Sequence, residues 1–180
     1  IKPIESNLMK VSTINHNQDN EVLFWERIHF IESASGRIRY QGKDKNCLTT
    51  KRFCGHFQIG YQALKDISCT TNKCLKDRDD YKQSLVMAKK ILDKKMQRYK
   101  VESDWLKYAM YQQGASGIKS LILASKGKKK LSKIAMKRIA RNTIYSMKDL
   151  RVMGSRKAAI SYLNQWRVKW EESGSMLAKI

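Results

Sequence analysis

The chain has 180 residues, 42% of them hydrophobic, which is enough for one compact domain with a real core and too apolar for a disordered chain. Its 37 Lys or Arg against 16 Asp or Glu give a net charge of +21, which draws a chain to nucleic acid, anionic lipid or an anionic cell wall without choosing among them, or serves only as a solubilising surface. No run of about 18 apolar residues is present, so no helical membrane span is expected, and no secretory signal opens the chain.

The first residue is Ile1 rather than Met, as in a fragment or a processed product. Residues 1–18 are polar and weakly patterned and read as a lead-in segment. Residues 19–180 read as a single domain, with a basic helical C-terminal region over about 126–180. The only proline is Pro3, glycines number nine, and Lys, Leu, Met, Ala and Gln are plentiful, which favours a mainly α fold.

The spacing predicts a first helix over Asn20–Ser33, capped by Asp19 or Asn20, with Glu21 suited to its first turn. Val22, Leu23, Phe24, Trp25, Ile28, Phe30 and Ile31 make it apolar on several sides, as a central helix is. Gly36 to Gly55 reads as a loop with brief alternation in Arg37-Ile38-Arg39-Tyr40, room for a small β-hairpin. Further helices are expected over Gln58–Ile67, Asp79–Arg98, Glu102–Gln112 and Ile118–Ala124. Leu85, Met87, Ala88, Ile91, Leu92 and Met96 form the buried side of the longest.

From Lys126 to Trp170 the chain carries fourteen bases and one acid, Asp149. Leu131, Ile134, Ala135, Ile139, Ile160, Leu163, Trp166 and Trp170 recur there at helical spacing, so the region is folded rather than a charged tail.

Cys47, Cys54, Cys69 and Cys74 crowd one stretch. Pairing Cys47 with Cys54 and Cys69 with Cys74 is the simplest of three connectivities; each bridge would contribute about 2–3 kcal/mol. A zinc site with His56 is the alternative, but C-x6-C and C-x4-C lack the tight knuckle spacing of zinc ligands. Disulfides point to the periplasm, the cell surface or the exterior.

The residue with chemical promise is Glu32. On a helix it shares a face with Trp25 and Ile28. A carboxyl group set against apolar neighbours stays protonated to higher pH and can then protonate a glycosidic oxygen. The bland reading is a solvated glutamate at a helix end.

Glu32-Ser33 is followed by Gly36, then by Gly55-His56-Phe57-Gln58-Ile59, and later by Ala109-Met110-Tyr111-Gln112-Gln113-Gly114. In this order the three segments resemble the lysozyme-like superfamily, which holds the lytic transglycosylases and goose-type lysozymes of phage lysins and secreted antibacterial effectors. The resemblance covers roughly Trp25 to Leu123. It implies a lysozyme-like helical domain with a small loop or hairpin insertion after the catalytic helix, cleaving the β-1,4 bond between MurNAc and GlcNAc in peptidoglycan.

By the same resemblance Glu32 is the general acid and Ser33 orients its carboxyl group. Gly55 allows close backbone approach near the cleft, and Phe57 and Gln58 line the glycan groove. Tyr111 stands near the carboxyl group and the substrate, Gln112 takes the place of the usual asparagine, and Gly114 supports the following turn. The sequence departs from the pattern in a long stretch between Glu32 and Gly55, which carries two of the cysteines, and in a glycine, Gly117, one place late. A hydrolase often uses a second carboxylate; Asp44 and Asp66 are the nearby acids, neither in a motif. A transglycosylase, as the resemblance implies, needs none.

No metal or other cofactor is called for. Expected partners are peptidoglycan strands, anionic envelope polymers drawn to the basic region, and a cognate immunity or inhibitor protein; nucleic acid is not expected. The competing classes are a cationic nucleic-acid binder, favoured by charge but lacking any binding module, and a non-catalytic wall-binding module. Trp105, Trp166 and Trp170 read more readily as core than as sugar-stacking rings, Met87, Met96 and Met110 as core filler, and His56 as a structural or substrate-touching residue.

Overall fold

A computed structural model describes residues 20–179; the lead-in 1–18 and the Asp19 cap lie outside them. The described chain is mainly helical. Helix α1 covers residues 20–33. The later helices are α2 (Tyr61–Asp66), α3 (Asn72–Asp77), α4 (Tyr81–Arg98), α5 (Asp104–Gln113), α6 (Ala115–Ser125), α7 (Lys133–Asn142) and α8 (Met147–Leu177). No helix among the described residues is long and apolar enough to cross a membrane. The chain divides inside α4 into two compact units, one ending at Met87 and one beginning at Ala88.

In the first unit the apolar stripe of α1 buries Phe24, Trp25 and Ile28. Trp25 meets Phe57 edge-on at 6.0 Å, and Ile59 and Leu64 complete this small core. The cysteines form the two local disulfides, Cys47–Cys54 and Cys69–Cys74. The alternation at Arg37–Tyr40 makes no strand; the Arg39 carbonyl instead accepts from Gly55 N–H and the Gln58 amide. The one β-bridge among the described residues joins Cys54 to Ile59. The stretch between α1 and α2 is therefore a loop rather than a hairpin. Helix α3, not expected from the pattern, is started by Thr71, whose side chain accepts from Cys74 N–H.

The loop is built around Arg78, which is wholly buried. Its Nε donates to Leu75 O at 3.1 Å. Nη1 donates to Arg52 O at 2.9 Å and Ile59 O at 2.8 Å, and Nη2 to Cys47 O and Thr50 O, each at 2.6 Å. All five guanidinium N–H groups are thus used, each on a backbone carbonyl. Burial pushes the Arg78 pKa down and neighbouring Asp79 pulls it back.

Gly55 has φ +86°, and a Cβ there would fall inside the Arg78 carbonyl. Gly55→Ala is expected to cost at least about 2 kcal/mol, from the left-handed backbone and the clash together. Chemical denaturation checks it: an unchanged midpoint would mean that the loop shifts freely.

In the second unit α8 packs against α5, α6 and α7, and α5 against α6. Tyr108 sits between Trp166 (5.5 Å) and Trp170 (5.6 Å), so these tryptophans are core, as their helical spacing indicates. Met87, Ala88, Ile91 and Leu92 of α4 are buried, while Leu85 and Met96 are only half-buried. Ile134, expected inside, is 73% exposed. Ser132 caps α7, and Ser146 with Asp149 forms a capping box on α8. Gly154, at φ 82° and ψ 163°, breaks α8 into two helices.

Candidate active site

Glu32 is half-buried near the C-terminal end of α1, one turn beyond the buried Ile28. Ser33 is buried, and its hydroxyl is committed to backbone. It donates to His56 O at 2.7 Å, lies 3.2 Å from His29 O, and accepts from Gly36 N–H at 3.0 Å. One hydroxyl has one proton to give, so the expected orienting bond to the Glu32 carboxyl group is corrected: Ser33 instead ties the end of α1 to a segment 23 residues away.

That segment is the Gly55–Ile59 motif. Gly55 does permit close backbone approach, but to Arg78. Phe57 is corrected from groove to core: it is 0% exposed, stacked among Trp25, His29 and Tyr81. Gln58, at φ 47°, turns its amide inward. Its Nε2 donates to Arg39 O (3.0 Å) and Gly55 O (2.9 Å), and its Oε1 accepts from Gln41 (3.0 Å). Gln58 therefore holds the loop, and its amide is engaged there rather than turned to a groove.

Beside Glu32 the sequence reading missed a pair. His29 Nε2 and His56 Nδ1 lie 2.8 Å apart, with Tyr81 against both rings at 4.9 and 5.6 Å. Both histidines belong to the first unit, and His29 precedes Glu32 by three residues, on the same side of α1. A Cβ on Gly36 would come within 2.8 Å of His56, so only glycine leaves room for the pair.

Burial, then the neighbouring His56, lowers His29 to about 4. His56 is also lowered, by burial and then Arg39, with Asp79 and Asp80 opposing. Both shifts favour the neutral rings, and one ring donates an N–H to the other across the 2.8 Å contact. No local pattern in sequence could join residues 27 apart.

Asp79 stands next to this pair. It accepts from Tyr40 Oη at 2.8 Å and pairs with Arg39 at 3.2 Å. Asp44 pairs with Arg52 at 3.5 Å, and Asp66 accepts from Gln62 at 3.4 Å. Each acid thus has a structural partner. No group of three or more His, Cys, Asp or Glu among the described residues is placed to hold a metal ion.

The remaining candidates lie in the second unit. Tyr111 is buried on α5, and its carbonyl accepts from Lys95 Nζ at 2.5 Å while the ammonium sits 5.5 Å over its ring. Gln112 is exposed. Gly114, at φ 79°, ends α5 and starts α6, the turn role expected of it.

The histidine pair has a measurable consequence. Above pH 6.5 both folded and unfolded His29 are neutral; below it the unfolded chain takes up a proton that the folded site refuses until about pH 4. Stability is therefore lost as pH falls from 6.5 toward 4, by about 1–2 kcal/mol once the ring's partial exposure is allowed for. His29→Gln removes this part of the acid sensitivity. Thermal melts of both proteins at pH 7 and pH 4.5 would show it, and equal losses in both would refute it.

No family model, no curated protein and no solved structure matches the chain.

Proposed function

We propose that the chain cleaves the MurNAc–GlcNAc β-1,4 bond of peptidoglycan, as a muramidase or a lytic transglycosylase, with Glu32 as general acid. One observation carries this reading: the Ser33 hydroxyl binds the His56 carbonyl, so the Glu32-Ser33 helix end and the Gly55–Ile59 segment form one construction. Glu32 rides on the helix so fixed, half-buried beyond a stripe of Trp25 and Ile28. A general acid at this position would give its proton to the leaving glycosidic oxygen. Residues of the Gly55–Ile59 segment act by holding this frame, since Phe57 and Gln58 are turned inward.

The two disulfides fit action in the periplasm or outside the cell. The basic region over 126–180 supplies attraction to anionic envelope polymers, and an immunity or inhibitor protein is the partner that an antibacterial enzyme of this kind would meet.

The test incubates purified peptidoglycan with the chain and with Glu32→Gln. Soluble glycan fragments from the first and none from the second support the reading. Wall binding without cleavage assigns a binding module, and DNA binding without wall activity assigns the nucleic-acid class. Mass spectrometry of the fragments then separates anhydro ends (transglycosylase) from reducing ends (hydrolase).

A further inference from the structure

Helices α6, α7 and α8 of the second unit, with the end of α5, border a half-open cavity of about 220 Å³, room for a molecule the size of one sugar or one acylated amino acid. Its floor is apolar, from Leu121, Leu131 and Ile139, all buried. Ser116, Ser120 and Gln113 line it with hydroxyl and amide groups.

Tyr162 also lines the space, with its hydroxyl shut away beside Trp166 and Asn142. One further lining residue points to a ligand. Arg138 reaches from α7 across the cavity toward α6, where its Nη1 would lie 3.4 Å from a Cβ on Gly117. Its charge is also felt at the Tyr162 phenol. Among the described residues its guanidinium has no acidic partner, although the chain carries ion pairs elsewhere.

We infer that this cavity is a binding site for a small organic carboxylate with an aliphatic body, the carboxylate held by Arg138. Guanidinium and carboxylate match in a two-bond fork, and the apolar floor takes the aliphatic body. The rim hydroxyls and Gln113 suit a neighbouring amide, which makes an N-acylated aliphatic amino acid the fitting class. The site is separate from Glu32 and holds whether or not the chain cleaves glycan.

The probes are N-acetylleucine and its uncharged carboxamide, titrated into the full chain and followed by backbone amide NMR shifts. High salt suppresses general attraction to a chain of charge +21. Saturable shifts on α6, α7 and α8 with the acid are expected, with the carboxamide about tenfold weaker. Arg138→Gln, at an exposed position, lowers affinity for the acid about tenfold and leaves the carboxamide unchanged. Equal binding of both probes, indifference to Arg138→Gln, or no saturable shifts would each overturn the assignment.

Discussion

Arg78→Met is expected to abolish the ordered loop of the first unit. The substitution leaves a side chain of similar length but strands the carbonyls of Cys47, Thr50, Arg52, Leu75 and Ile59, which now share one guanidinium. An unsatisfied buried polar group costs about 1–3 kcal/mol. Water entering the loop would recover part of the total, so a net loss of about 4 kcal/mol or more is expected, comparable with the whole stability of a small domain.

Arg78→Lys keeps the charge yet offers three donors in place of five in a planar fork, so it should recover only part of the loss. Limited proteolysis within residues 41–60 and a thermal melt check both. Wild-type protease resistance in Arg78→Met would show that the Cys47–Cys54 disulfide holds the loop without the guanidinium.

Glu32→Gln has the largest expected effect on activity. It preserves size and hydrogen bonding but removes the only proton that the proposed chemistry uses at this position, for a fall of about 10²–10⁴-fold in release of soluble fragments. The Ser33 contact to His56 is untouched, so the helix end stays tied to the Gly55–Ile59 segment. Glu32→Asp keeps an acid but withdraws it by one methylene, and a displacement of that size costs about 10²-fold when geometry matters. The ordering wild type, then Asp, then Gln is the signature of an acid acting by position. Equal activity across the three would remove Glu32 from the mechanism.

Legibility in the sequence follows locality. Helix α1 is read to its end because apolar spacing and a glycine-bearing exit lie within a few residues of each other. Helix α4 is read within two residues at its start, and the disulfides are read from proximity alone. Helix α3 escapes notice because its six residues, NKCLKD, are too few for a period to show. The candidate site divides the same way.

Glu32 and the Gly55–Ile59 segment stand out as strings, but their roles do not. Phe57 reads as a groove residue and is core, Ser33 reads as an orienter and is a staple, and both outcomes depend on partners far along the chain. Arg78 is the sharpest case. In the run Cys74-Leu75-Lys76-Asp77-Arg78-Asp79-Asp80 it looks like one more surface charge, and only tertiary closure of the loop reveals that it is buried.

The Arg78 side chain hydrogen-bonds the loop solely at main-chain oxygens. A bond to a carbonyl is indifferent to the side chain that residue carries, so the frame does not read Leu48, Thr49 and Lys51, which are exposed and make at most surface contacts, Thr49 to Asn46 and Lys51 over the Tyr61 ring. This stretch is a natural place for diversification: randomised there, a library of variants should keep its shape while presenting new surfaces, much as an antibody framework carries its variable loops.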